Sequence, residues 1–289
     1  MRTKAFEVIG DDTMYADLHL HTNYSDGTLT PAEMVQKAIH NGIGMISICD
    51  HNTVAAYPEL MTLCSSSGIK LLTGVEVDCF MGEKYVHLLG YGFDLQNPGL
   101  LALLTDCYNK MQYINDAVII NMAKDYQIDM DEYAAYTSPP EIGGYKNSNF
   151  LLHKGIISSI PEYFPLRNKY GVTLESIGLP QLDHACAVIK SAGGIPVLAH
   201  PCSKLDPQNF TAELQIAVAS GVMGLECYYP EQDETITKLC INFCRNNSLL
   251  ITAGSDDHGE FNKIIDGVVY QMGEVMVDVN SLNLQKWFA

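Results

Sequence analysis

Short apolar runs along this chain alternate with longer segments in which apolar residues recur at helical spacing. The first run, "YADLHLHTNYSDG", has period two, so Leu18 and Leu20 fall on one face of a predicted strand. Asp17, His19 and His21 fall on the other face. Three titratable side chains therefore occupy positions that a buried strand ordinarily gives to apolar residues.

Helices follow these runs with start and stop signals. In "TPAEMVQKAIHNG", Thr30 is a predicted N-cap, Pro31 suits the first turn and Glu33 completes a capping box. Gly42 is the predicted end of this helix. Further helices are predicted over "YPELMTLCSSSG", "LPQLDHACAVIKSAGG", "AELQIAVASG" and "ETITKLCINFCRNN". The chain thus has a strand–helix rhythm.

The other predicted strands are "GMISICDH", "IKLLTGVEV", "KYVHLLGYG", "IPVLAHP", "VMGLECYYP" and "SLLITAGSDDHG". Strand–helix–strand order predicts a parallel sheet, and this many repeats favours a barrel over an open sheet. Residues 98–182 interrupt the rhythm with helix and loop. We therefore expect an α/β barrel built from residues 1–97 and 183–289, with an inserted, mainly helical cap at 98–182.

Titratable side chains recur where the predicted strands end, which is where barrel enzymes carry their catalytic groups. Six of the nine histidines lie there, together with several carboxylates. The candidates are His19, His21, Asp26, His51, Glu76, His87, His200, Glu226, Asp256 and His258. A single histidine on an apolar strand is usually a hydrogen-bonded core residue. Six at successive strand ends, beside carboxylates, favour a site for Zn, Mn or Fe.

Residue spacing supports this convergence. Asp256 and His258 are two residues apart and therefore point to one side of their strand. Glu76 and His87 flank a predicted hairpin over "MGEK". A two-residue turn there would place them directly opposite each other or one diagonal step apart.

Two further aspartates are assigned a supporting role. Asp17 lies deeper in the predicted barrel, and Asp50 is adjacent to His51 and so points away from it in a strand. We expect both to orient ligand histidines rather than to bind metal themselves.

Composition limits the functional classes. The 289 residues carry a net charge of −17, which argues against sequence-independent binding to DNA or RNA. Nine cysteines without CxxC spacing indicate reduced thiols. No apolar run has the length of a membrane span or of a signal-peptide core. We expect a soluble, cytoplasmic protein with no membrane partner.

The motifs "DLHLHTNYSDG", "CDHNT", "GVEV" with "VHLLGY", "VLAHP" and "GSDDHG" occur in this order. With them the sequence resembles the PHP-domain (polymerase and histidinol phosphatase) phosphoesterases, above all the stand-alone subgroup that acts on small phosphate esters and short nucleotides. The resemblance implies a distorted, TIM-like (β/α)7 barrel with two or three divalent metal ions. The implied ligand sets are His19, His21, Glu76 and Asp256; Glu76, His87 and His200; and Asp26, His51 and His258.

The reaction implied by the resemblance is hydrolysis of a phosphate monoester. Metals bridged by Glu76 would lower the pKa of a shared water and supply a hydroxide nucleophile. His258, or a metal-bound water, would protonate the departing alkoxide, and Asp256 completes the catalytic set. Two alternatives stay open, a metal-dependent hydrolase of amidohydrolase type and a non-catalytic PHP scaffold. The first often adds a carboxylated lysine, and no lysine lies at a predicted strand end.

Substrate contacts are expected from the cap and the barrel mouth. Family members usually carry an Arg-Pro-His-type segment in the cap, and "KNSNFLLHKG" takes its place here. "GSDDHG" also has Asp257 where a bulky apolar residue is common. The candidate substrate-binding residues are His153, Lys154, Glu226 and Arg167, with Lys146 and Lys169 as further anchors for a second anionic group. We expect a small phosphorylated metabolite, a nucleotide or a short oligonucleotide end, and no duplex nucleic acid.

Overall fold

The computed structural model describes residues 13–261 and 270–288. Its strands are β1 (Tyr15–Leu20), β2 (Ile43–Ile48), β3 (Lys70–Leu71), β4 (Gly74–Met81), β5 (Lys84–Tyr91), β6 (Ile195–Leu198), β7 (Gly224–Tyr228), β8 (Leu250–Ala253) and β9 (Val277–Asp278). Its helices are α1 (Pro31–His40), α2 (Tyr57–Ser67), α3 (Pro98–Tyr126), α4 (Met130–Ala135), α5 (Lys146–His153), α6 (Tyr163–Tyr170), α7 (Leu182–Ser191), α8 (Pro201–Lys204), α9 (Phe210–Ala219) and α10 (Glu234–Asn247). Short 3₁₀ helices lie at Pro140–Ile142, Ile160–Glu162, Leu174–Ile177, Val279–Ser281 and Leu284–Lys286.

The described strands form two sheets rather than one continuous ladder. Their orders are β3-β2-β1-β9 and β4-β5-β6-β7-β8. Pairing is parallel within β1–β3 and within β6–β8, but β5 is antiparallel to both of its neighbours, and β9 is antiparallel to β1. The two-residue turn Gly82-Glu83 forces β5 to run back along β4. The α/β class is confirmed; the parallel pairing that the strand–helix order predicts is found within β1–β3 and β6–β8, and β5 is antiparallel to β4 as the predicted hairpin requires.

The two sheets meet at the carboxyl ends of their parallel strands. Isolated bridges join Leu20 to Asp257 and His51 to Glu76. The backbone N–H of His21 also donates to the Asp257 carbonyl at 3.0 Å. The residues that follow β1, β2 and β8 are thereby gathered beside β4.

Local signals of the sequence hold where they are strongest. Thr30 Oγ1 accepts the Glu33 N–H at 3.2 Å, and Glu33 Oε2 accepts the Thr30 N–H at 2.8 Å, so the predicted capping box is present. The helix ends at His40, and Gly42 follows with a φ of 71°. The predicted strand "IKLLTGVEV" is divided, because β3 and β4 belong to different sheets.

The hydrophobic core lies mainly between the five-stranded sheet and the helices α7, α9 and α10. A second cluster packs α1 and α2 against β1 and β2. Residues 98–182 contain helices α3–α6, 3₁₀ turns and loops, and they bury a cluster of their own around Met122, Phe150 and Leu151. Within the described residues, none of the helices combines the length and the apolar character that crossing a bilayer requires.

Candidate metal centre

All nine predicted metal ligands lie together, although Glu76 and His87 lie inside β4 and β5 rather than at their ends. His51 has the most exposed side chain among them, and only 15 % of its surface is accessible. Within each set implied by the resemblance, one ligand atom per residue lies within 4.8 Å of the others. A ring nitrogen of His21 also lies within 4.8 Å of the ligand atoms of Asp26, His51 and His258. The sequence prediction of a converging cluster therefore agrees with the geometry.

Glu76, 1 % exposed, lies at the centre of the cluster. Its two oxygens face different histidines. The Oε2 atom lies 3.2–3.4 Å from ring nitrogens of His19, His21 and His51. The Oε1 atom lies 2.8 Å from His87 Nδ1 and 3.1 Å from His200 Nε2. Although burial alone raises the pKa of Glu76, the surrounding histidines hold it well below its usual range, so the carboxylate is charged. A carboxylate in this position can bridge two cations.

Two aspartates, Asp26 and Asp256, also contact the ligand histidines. Asp256 Oδ1 lies 3.4 Å from His19 Nε2 and 3.2 Å from His21 Nε2. Asp26 Oδ1 lies 3.3 Å from His258 Nε2. Burial alone lowers the pKa of His258, but the two aspartates raise it to about 10. The carboxylates therefore hold positive charge in this pocket even before any metal is considered.

Several ligand atoms are buried without any hydrogen-bond partner among the described residues. They are His19 Nε2, both ring nitrogens of His21, His51 Nδ1 and Asp256 Oδ1. Buried polar atoms are rarely left unpaired, because each costs about 1–3 kcal/mol. Divalent cations would satisfy these atoms at once, and a mixture of imidazole and carboxylate suits Mn, Fe or Zn. The residues present therefore fit a metal centre.

The far nitrogens of the ligand rings are held by protein groups. His19 Nδ1 contacts Glu226 Oε1 at 3.0 Å, and His200 Nδ1 contacts Ser203 Oγ at 3.0 Å. His258 Nδ1 lies 2.8 Å from the Asp256 carbonyl oxygen. A partner on one ring nitrogen fixes the tautomer and leaves the other nitrogen free to bind a cation.

Glu226 differs from its predicted role as a substrate contact. The side chain is fully buried behind the cluster, and its Oε2 accepts the backbone N–H of His200 at 2.7 Å. The neighbouring Gly254 leaves room for it, because a Cβ at that position would lie 2.6 Å from Glu226 Oε1. Glu226 therefore positions two ligand histidines, and the expectation of a substrate contact was wrong.

Asp78 and Tyr85 also support a ligand histidine, and the sequence analysis did not identify them. The Tyr85 hydroxyl donates to Asp78 Oδ1 and lies 3.0 Å from His87 Nε2. Because the Tyr85 hydroxyl donates its proton to Asp78, it accepts a hydrogen bond from His87 Nε2–H. The unprotonated Nδ1 of His87 is then left to face Glu76. Burial lowers the pKa of His87 to about 4, and the ring is neutral. The sequence could have indicated this role, since Asp78 lies two positions from Glu76 and Tyr85 two positions from His87, each on the same strand face as its ligand.

Asp17 and Asp50 hold backbone rather than ligand rings. Asp17 Oδ1 accepts the Ser255 N–H at 2.9 Å, and burial raises the pKa of Asp17 to about 7. Asp50 accepts the N–H and hydroxyl of Thr22, both at 2.7 Å, and the Ser25 hydroxyl at 2.6 Å. They fix the loops after β8 and β1, and Asp17 Oδ1 also accepts the backbone N–H of the ligand His19 at 3.5 Å. Neither aspartate belongs to a potential metal-ligand group among the described residues, and their contacts with the ligand segments are made through the backbone.

A cavity of about 380 Å³, the central cavity, opens in front of the cluster. Asp26, His51, His87 and His258 line it on the side of the sheets. The 98–182 segment lines the other side with Met111, Asn115, Tyr145, Ser148, Ile160, Tyr163, Phe164, Arg167 and Leu174. A second cavity of about 400 Å³, the side cavity, shares His51, Met111 and Tyr145 with it.

Of the predicted substrate contacts in the insert, Arg167 alone lines the central cavity. Lys146 lines the side cavity. His153 is exposed beside the Tyr136 ring, and Lys154 forms an ion pair with Glu132. His153, Lys154 and the exposed Lys169 are absent from the linings of both cavities. Lys204 of α8, which the sequence analysis overlooked, does line the central cavity.

The fold and the histidine–carboxylate cluster together define a metal-binding α/β protein. The sequence profile of the PHP domain matches residues 17–165, more than half of the chain. The chain therefore belongs to the PHP domain family, which confirms the resemblance, and its enzyme class is that of the phosphoesterases.

Individual relatives span nearly the whole chain. The 5'-3' exoribonuclease of Haemophilus influenzae is 28 % identical over 249 residues, covering 84 % of this chain and 89 % of the relative. The 3',5'-nucleoside bisphosphate phosphatase of Chromobacterium violaceum is 27 % identical over 251 residues, covering 84 % of this chain and 86 % of the relative. A crystal structure from Bifidobacterium adolescentis, described as a metal-dependent phosphoesterase, superposes with a TM-score of 0.75 at 23 % identity, covering 94 % of both chains. At that identity it shows a shared fold.

Proposed function

We propose that this protein hydrolyses phosphate monoesters of small phosphorylated compounds and uses two or three divalent metal ions. The substrate classes are a metabolite, a nucleotide or a short oligonucleotide end. The observation that carries the proposal is Glu76, whose two oxygens face separate groups of histidines among unpaired buried ligand atoms. The phosphatase and exoribonuclease relatives support this range of substrates.

The predicted ligands would hold the metals in the three sets given above. Bound metals lower the pKa of water and neutralise charge on the phosphoryl group. Glu76 and Asp256 both contact the Nε2 atoms of His19 and His21. His258 lines the central cavity, and where two metals are bound it is placed to pass a proton to the departing oxygen.

The central cavity restricts what reaches this centre. Its volume of about 380 Å³ suits a small ester, and residues 98–182, which we treat as an inserted cap, cover it. The net charge of −17 repels long polyanions. Duplex DNA or RNA would have to enter past the cap and against this charge, and we propose that it is excluded.

The test is phosphate release by protein loaded with Mn, Fe or Zn, measured on a panel of phosphorylated metabolites, a short oligonucleotide and a duplex. We expect at least two bound metals and the fastest turnover on small esters. Glu76→Gln should lose metal and activity, whereas Glu83→Gln, in the exposed β4–β5 turn, should lose neither. Duplex cleavage as fast as the best small ester, or one metal per chain after loading, would contradict the proposal.

A further inference from the structure

The insert wall of the central cavity carries polar groups that the protein itself leaves unpaired. Asn115 of α3 is 7 % exposed and lines this cavity. Its amide nitrogen is buried and has no hydrogen-bond partner among the described residues. A half-turn about the last side-chain bond exchanges the amide nitrogen and oxygen, so the side chain can present its donor to a bound molecule. An unpaired buried amide is unfavourable unless a ligand or water satisfies it.

Arg167 of α6 lies on the same wall, half-buried. Its guanidinium forms no ion pair or hydrogen bond with any residue that the structure describes. Two other cations of the insert are engaged, since Lys154 pairs with Glu132 and Lys146 Nζ donates to a backbone carbonyl. A planar guanidinium that faces a cavity without a partner is suited to a carboxylate or a phosphate.

Asn147 holds this wall in place. It is fully buried, and its Nδ2 donates to the backbone carbonyl of Asn115 at 3.0 Å and to the Tyr163 hydroxyl at 2.5 Å. Asn147 therefore ties α3 to the start of α6, the helix that carries Arg167. It lies in "KNSNFLLHKG", so in this chain that segment supports the cavity wall through a buried amide.

A second cation of the cavity lies on the side of the metal ligands. Lys204 Nζ is 5.4 Å from the centroid of the Tyr85 ring, whose hydroxyl contacts His87 at 3.0 Å. The lysine and the arginine that line the cavity, Lys204 and Arg167, thus lie on different walls. An ester with its phosphorus at the metal ligands and Lys204 would extend its leaving group toward the insert wall.

We propose that Asn115 and Arg167 form a second anion subsite, which selects phosphate esters whose leaving group carries a further carboxylate or phosphate. The inference rests on the proposed esterase function of the same cavity. The apolar neighbours Phe164 and Leu174 would cover the carbon skeleton between the two anionic groups. The side-chain amide and the guanidinium would each donate a hydrogen bond to the second anion.

Phenyl phosphate and 4-carboxyphenyl phosphate test the subsite, because they differ by one carboxylate remote from the reacting phosphorus. With metal-loaded protein we expect the carboxylated ester to have the higher kcat/KM. Arg167→Gln should lower kcat/KM for the carboxylated ester by about tenfold to a hundredfold more than for phenyl phosphate, the usual range for a charge-assisted hydrogen bond. Asn115→Asp places a negative charge on the same wall, so it should also lower kcat/KM for the carboxylated ester relative to phenyl phosphate.

Matched controls carry the same chemical changes outside the cavity. They are Lys169→Gln on α6 and Asn109→Asp on α3, both exposed, and neither should alter the ratio of the two esters. Equal kcat/KM for both esters in the wild type, or equal losses on both esters in Arg167→Gln, would overturn the subsite. If Asn115→Asp does not fold, Arg167→Gln decides alone.

Failure of the subsite can be told apart from failure of the esterase function. If neither ester releases phosphate with any metal, the proposed function is wrong, and calorimetric titration with the same two esters still measures the subsite. If the carboxylated ester binds more tightly than phenyl phosphate and this difference is lost in Arg167→Gln, the subsite is supported. Equal affinities of the wild type for the two esters would overturn the subsite.

Discussion

Replacing Glu226 by glutamine tests whether the carboxylate behind the histidines organises the metal centre. Glutamine keeps the size of this fully buried side chain, so packing should persist. The carboxylate accepts two hydrogen bonds, from the His19 ring at 3.0 Å and from the His200 N–H at 2.7 Å. An amide has a single oxygen, and its NH₂ end must face one of these two donors. One of the two hydrogen bonds is therefore lost in Glu226→Gln.

The size of the effect follows from the partners. A hydrogen bond to a charged group contributes about 1.5–3 kcal/mol. Loss of a group that orients a ligating histidine typically weakens metal binding about 10- to 100-fold. Glu226 contacts residues of two predicted ligand sets, His19 and His200. We therefore expect a loss in this range that affects two metals rather than one.

The assay is competition for Mn or Zn against a chelator of known affinity, with the fold checked by circular dichroism. Glu83→Gln makes the same chemical change in the exposed β4–β5 turn and should bind metal like the wild type. A folded Glu226→Gln protein with unchanged affinity for every metal would refute the reasoning.

Two further predictions concern stability in the presence of chelator. Asp257, fully buried, forms an ion pair with Lys37, so Lys37→Met should lower the free energy of unfolding by roughly 3 kcal/mol in urea titrations, and an unchanged free energy of unfolding would contradict this. Burial raises the pKa of Asp17 to about 7, so its neutral form is favoured in the folded state. Wild-type stability relative to Asp17→Asn should therefore fall as the pH rises from 4 through 7, by up to roughly 4 kcal/mol; a flat difference in urea titrations would contradict this.

Sequence patterns predicted the features that depend on neighbours along the chain. The period-two strand of Asp17, His19 and His21, the capping box of Thr30 and the hairpin between β4 and β5 are all set within a few residues. In the hairpin, Glu76 pairs with Leu89 and His87 with Asp78, so Glu76 and His87 are one diagonal step apart, as the two-residue turn requires. These local signals were enough to place the ligand cluster.

Features that depend on long-range packing were not predictable in the same way. The sequence places Glu226 at a strand end beside the ligands, and only the structure shows that it lies inside β7 and behind His19. The antiparallel pairing of β5 with β6 joins strands separated by the entire insert, and no local pattern reports it. Asn115 and Arg167 both line the central cavity because α3 and α6 pack together, and the separate sequences of the two helices do not predict that packing.

Backbone strain at two ligands gives Glu226 a further importance. His200 has a φ of 25° and Asp256 a φ of 56°, a region that residues other than glycine rarely adopt. Such conformations cost of order 1–3 kcal/mol each and persist only where the surroundings impose them. The backbone N–H of His200 donates to Glu226, and that of Asp256 donates to the His19 carbonyl at 2.8 Å. Glu226 also holds the His19 ring, so this buried carboxylate connects His200 to β1, and Asp256 is hydrogen-bonded to the β1 backbone directly. Strain at the carboxyl ends of β6 and β8 is thus maintained by a shared network, and the metal site is organised at the expense of local backbone stability.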